Sequence, residues 1–155
     1  MLKKLKEKIF GKTPTTMDHE FFGKIVFMGG NIPDENDYWE CEIELEKGKD
    51  PIGILITAGI EGPSFKQVEF CKDIISNLDK LFDKCWPIFE PDFEEWTGKT
   101  FSGNWRDDFK LMDISIPKDA NIKNKWSVCY FVDAANHYFT ANFENGSPKL
   151  NIIDG

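Results

Sequence analysis

Residues 64–86 read SFKQVEFCKDIISNLDKLFDKCW. The apolar positions Val68, Cys71, Ile75, Leu78, Phe82 and Cys85 fall in steps of three and four, with Ile74 and Leu81 widening the stripe. That spacing puts them on one side of an α-helix, which no strand can do. Pro63 and Ser64 mark the start, and Gln67 stands where a capping box needs it. Pro87 marks the expected end, because its ring removes a backbone donor and disfavours helical geometry at Trp86. The other side carries Lys66, Glu69, Lys72, Asp73, Asp79, Lys80 and Asp83, a solvated face. An apolar stripe this long needs a surface to cover, with Leu78 at the contact.

The flanking sequence supplies that surface as strands. Tyr38 to Glu46 alternates cleanly, with Trp39, Cys41, Ile43 and Leu45 on one face and Glu40, Glu42, Glu44 and Glu46 on the other. Lys47 to Asp50 turns the chain, and Ile52 to Ala58 returns as the second arm of a hairpin. Phe21 to Met28 precedes the pair. Beyond the helix, Phe109 to Ile116, Trp126 to Asp133, His137 to Phe143 and Lys149 to Ile153 read as strands, separated by polar turns such as ENGSP. The expectation is an α+β fold. A largely antiparallel sheet of about six to seven strands packs on one long central helix.

The chain has 155 residues, enough for one domain with a real core. Residues 1–16 form a basic segment and linker, and residues 17–155 form the single domain. Residues 1–10, MLKKLKEKIF, place Leu2, Leu5 and Ile9 on one helical side and lysines on the other. Such a segment is suited to touching a membrane surface or a partner, or to docking locally. The net charge is −8, although the first twelve residues hold five lysines against one glutamate. The body is therefore strongly acidic. Nucleic acid is excluded as a partner, because binding phosphates needs a basic surface. A basic protein partner is favoured, or solubility alone.

The residues give no catalytic motif and imply no cofactor. No C-x-x-C pair is present, and Cys71 and Cys85 would lie about 21 Å apart along a helix, too far to bridge. Buried free thiols in a reducing cytoplasm fit best. No signal peptide or membrane span is visible, so the expected location is cytoplasmic. His19, in Asp18-His19-Glu20, lacks a second ligand cluster, so no metal site is expected and an acidic turn is. Cys129 and His137 are the one thiol–imidazole pairing worth drawing, across a hairpin.

The most suggestive stretch is Glu90 to Asp108. Glu90, Asp92, Glu94, Glu95, Asp107 and Asp108 are interleaved with Trp96, Trp105 and Arg106. Aromatic anchors in an acidic rim suit a basic protein surface. The bland reading packs the tryptophans over the helix end and leaves the acids in water.

Three further features carry a resemblance: Tyr38-Trp39-Glu40, the helix from Ser64 to Trp86, and the run from His137 to Gly146 with terminal Asp154-Gly155. Over residues 20–155 the layout resembles small bacterial α+β domains of the kind found among candidate immunity proteins of toxin systems. The lysine-rich start with Phe10-Gly11-Lys12 looks like theirs as well. The resemblance implies a non-catalytic protein-binding domain that neutralises a toxin. It supplies no catalytic residues. Two other readings stand beside it: a small-ligand binder or hydrolytic enzyme with a pocket near Trp96, Trp105 and His137, and a structural homodimer.

Overall fold

The structure, a computed structural model, describes residues 13–155. The expected basic amphipathic segment at residues 1–10 and Phe10-Gly11-Lys12 lie outside the described residues. Eight strands form one sheet in chain order: β1 (Thr16–His19), β2 (Gly23–Phe27), β3 (Tyr38–Ile43), β4 (Ile52–Thr57), β5 (Lys110–Ile116), β6 (Trp126–Val132), β7 (His137–Glu144) and β8 (Ser147–Asp154). Every neighbouring pair is antiparallel except β4 and β5, which run parallel. A parallel pair cannot be joined by a tight turn. The helical segment between Thr57 and Lys110 is that crossover. It joins two four-stranded meanders into one floor.

The expected α+β class and dominant antiparallel pairing are present. Eight strands form instead of six or seven. The additional strand is β1, whose TMDH sequence has no β-rich run and reads as linker and turn. Pairing with β2 recruits it: Met17 stands opposite Ile25 and His19 opposite Gly23. In the intervening turn, His19 Nδ1 accepts hydrogen bonds from the amides of Phe21 (3.1 Å) and Phe22 (3.2 Å).

The single helix is two. α1 (Phe65–Ser76) begins as the sequence implies: Ser64 Oγ accepts from the Gln67 amide, and Gln67 Oε1 accepts from the Ser64 amide. It ends at Asn77, whose backbone leaves the helical region at φ −132°, ψ 38°. The Asn77 side chain donates to the Asp73 carbonyl at 2.8 Å, a local bond that competes with helix continuation. The apolar period crosses this break intact, which is why the break is invisible in it. Leu78, in the first turn of α2 (Leu78–Thr97), packs on the core but is only half-buried. The deepest contacts of α2 are Phe82, Cys85, Phe89 and Phe93.

Nor does Pro87 end the helix. α2 runs through Pro87 and Pro91 to Thr97 and stops at Gly98, which adopts the left-handed conformation at φ 64°. Both prolines face solvent. Each removes one helical hydrogen bond and pushes away the carbonyl four residues back, bending a helix with the proline on its convex side. Phe89 and Phe93, on the other side of the same turns, are fully buried in the core. Burying two phenylalanines contributes about 4–6 kcal/mol, comparable with the cost of two interior prolines at about 3 kcal/mol each. Pro91→Ala is therefore expected to restore a hydrogen bond to the Pro87 carbonyl and raise Tm by about 2–6 °C. A lower Tm in a thermal melt would show that the proline itself is required.

The sheet face under the helices holds the core. Ile25, Phe27, Trp39, Cys41, Ile54, Ile56, Ile114, Val128, Tyr130, Phe139 and Phe143 are all buried there. All four cysteines are free and buried. Burial pushes the thiols of Cys41, Cys71 and Cys85 up to about 12 and that of Cys129 to about 11. No described helix is long and apolar enough to cross a membrane.

Candidate functional site

The outward side of α2 follows from its inward one. With Phe82, Cys85, Phe89 and Phe93 turned to the sheet, Asp83, Pro87, Glu90 and Glu94 recur at i, i+4, i+7 and i+11 on the opposite side, all exposed. Glu95 is exposed beside them. Trp96 is 46% exposed and leans on the His137 ring at 4.6 Å. His137 Nδ1 donates to the Ala135 carbonyl at 2.8 Å, which orients the imidazole under the indole. On the flank toward β8, the Asp92 carboxylate accepts from Asn151 Nδ2 at 2.9 Å. Glu90, Glu94, Glu95 and Trp96 thus share a rigid support, with Asp92 pinned at its side.

The rest of the stretch turns back to the core. Phe101 stacks on Trp86 at 4.2 Å. Ser102 Oγ donates to Asp108 Oδ2 at 2.6 Å, closing the loop before α3 (Trp105–Asp108). Trp105 is 9% exposed and lies nearly parallel to the Phe82 ring at 5.4 Å. Its Nε1 donates to Asp79 at 2.8 Å, and Arg106 pairs with the same carboxylate. The hydrogen bonds from Arg106 and Trp105 hold the Asp79 carboxyl below its ordinary value. Arg106 also covers the Trp105 ring at 4.2 Å. Trp105 is thus a core residue and not a surface anchor. Its neighbour Asp107 is exposed, while Asp108 is committed to Ser102.

The three-residue pocket does not assemble. Trp96 and His137 meet, but Trp105 lines a different cleft of about 780 Å³ with Leu45, Ile75, Leu78, Arg106 and Lys110. Cys129 and His137 do not face each other either. Cys129 stands opposite Thr140 and His137 opposite Val132, three positions apart, which puts them on opposite faces of the sheet. Among the described residues, no group of three His, Cys, Asp or Glu is arranged to hold a metal ion.

Sequence reasoning passed over the sheet's other face, which the helices leave uncovered. A register shift between Leu111 and Asp113 turns Asp113 onto it, opposite Cys129 and Gly53. A Cβ on Gly53 would stand 3.2 Å from that of Asp113, so the glycine makes room for the carboxylate. Burial, and secondarily Glu40, raise the Asp113 carboxyl above its ordinary value. A raised native value stabilises the fold only while the group is protonated, and that contribution is lost as pH rises through it. Asp113→Asn is expected to increase stability at pH 7 and to leave it unchanged below about pH 3, where both states are protonated. Urea midpoints at the two pH values test this. At the β7–β8 corner of the same face, Tyr138, Leu150 and Ile152 are exposed. Lys149 to Ile153 was legible as a strand, but adjacent Ile152 and Ile153 break the alternation that would have told its two faces apart.

No protein-family model, no curated protein and no solved structure matches this chain.

Proposed function

We propose that the chain is a non-catalytic, cytoplasmic protein-binding domain of the immunity-protein kind, which neutralises a basic toxin by covering it. The observation that carries this reading is that one well-packed helix exposes Glu90, Glu94 and Glu95 and carries a half-exposed Trp96 in its last turn. An aromatic anchor supplies desolvated contact area, and surrounding carboxylates steer a cationic surface toward it. Because the support is packed through Phe89 and Phe93, little ordering cost accompanies binding.

The test is whether co-expression of this chain protects bacterial cells against basic toxins, with purified-complex affinities in parallel. Trp96→Ala is expected to weaken binding by about 2 kcal/mol, roughly thirtyfold. Combined Glu90→Lys, Glu94→Lys and Glu95→Lys should mainly slow association and remove its salt dependence. Unchanged protection and affinity in both variants would sink the proposal. A second reading, small-ligand binding, is favoured by the cleft beside Trp105, whose apolar wall carries Arg106 and Lys110 at its rim.

A further inference from the structure

β8 closes one end of the sheet, and among the described residues no strand pairs with its outer side. It is eight residues long. An edge strand offers a row of unpaired amides and carbonyls, so edges are commonly guarded by a central lysine, proline or bulge. In β8 the proline and lysine stand at the start, as Pro148 and Lys149, and the register shift opposite lies at Asn142 and Phe143. The middle, Leu150-Asn151-Ile152-Ile153, is unguarded.

The two faces beside this edge differ in chemistry. On the uncovered face, Leu150 is 56% exposed, Ile152 46% and Tyr138 38%, one apolar corner across two strands. On the helix side, Asp92 touches Asn151. Glu95 stands three residues beyond Asp92, hence on the same flank of α2 overlooking the edge. A second copy pairing here in antiparallel fashion about Asn151 would bring Asp92 against Asp92, a like-charge contact. A basic chain meets the opposite condition.

We propose that the outer edge of β8 receives an extended basic segment of the partner as a ninth strand. Alternate side chains of that segment meet opposite faces. Those on the uncovered side are apolar and lie against Leu150 and Ile152; those on the helix side are lysine or arginine and pair with Asp92 and Glu95. The inference rests on the basic-partner reading above and names the kind of segment recognised.

The probe is a synthetic octapeptide alternating lysine and valine, titrated into the full chain, with a same-composition peptide in which lysines and valines are blocked as the control. Calorimetry gives affinity and amide hydrogen exchange gives location. The alternating peptide is expected to bind roughly tenfold tighter than the blocked one and to slow exchange in β8. The doubly substituted Leu150→Lys, Ile152→Lys chain should melt like the parent, both positions being exposed, and lose roughly tenfold in affinity. Equal affinity for the two peptides, or unchanged exchange in β8, would overturn the proposal. So would sedimentation of the free chain as a dimer with β8 protected, or protection of β8 in the free monomer, which would assign the edge to this chain's own residues. Toxin protection that survives the β8 substitutions but is lost on reversing the α2 charges would overturn the edge mode alone. Loss by neither would overturn the basic-partner reading as well.

Discussion

Gln67→Leu is expected to lower stability by about 3–5 kcal/mol, measured as a shift in urea midpoint at constant slope. Gln67 is 1% exposed. Its Nε2 donates to the Thr57 carbonyl at 2.7 Å and to the Pro117 carbonyl at 3.0 Å. Its Oε1 accepts from the Ser64 amide at 3.0 Å. Thr57 ends β4 and Pro117 follows β5, so one side chain ties the ends of the parallel pair to the start of the crossover. Leucine fills similar space, but three backbone groups lose their partner. An unsatisfied buried group costs about 1–3 kcal/mol, and part of that is recovered where water can reach. A loss under 1 kcal/mol would mean that these carbonyls find other donors.

Phe82→Ala is expected to cost about 3–5 kcal/mol and to release the loop after α2. The Phe82 ring is 2% exposed. It meets Phe109 at 5.0 Å, Trp105 at 5.4 Å, Tyr130 at 5.7 Å, Phe101 at 5.8 Å, Trp86 at 6.0 Å and Phe89 at 6.2 Å. These rings cannot all close on the void, because they belong to α2, the loop, α3 and two separate positions on the sheet side, Phe109 and Tyr130. Near-UV circular dichroism should fall as Trp105 loses its stacking partner, before far-UV helicity does. Retention of the near-UV signal together with the parent melting temperature would show that the cluster repacks.

How far the sequence disclosed this arrangement depends on which physical signal each element carries. β3, β4, β6 and β7 are half-buried strands with alternating or continuous apolar runs, so periodicity displays them. The capping box at Ser64 and Gln67 is a local interaction and was legible as such. What Gln67 does with its amide hydrogens is not, because Thr57 and Pro117 are brought to it only by the tertiary fold. β1 was hidden for the same reason, since Thr16–His19 gains strand form from β2. The prolines in α2 misled because their intrinsic effect is strong, yet burial of Phe89 and Phe93 offsets most of it. In the candidate surface, acids interleaved with aromatics pointed to the exposed side of α2. Composition could not separate Trp96, which shares its surroundings with water, from Trp105, which is drawn inward by Phe82 and Asp79.

The parallel junction of β4 with β5 has a temporal meaning. Hairpins on either side of it join residues close along the chain, whereas Gly53 can meet Asp113 only after the whole crossover has been laid down. Closing the longer span costs more chain entropy, so the seam is expected to be zipped last. Pulse-labelled exchange during refolding should find the amides bonded within the β3–β4 and β6–β7 hairpins protected ahead of those bonded across β4 and β5, and an unfolding chain should part first along that same line.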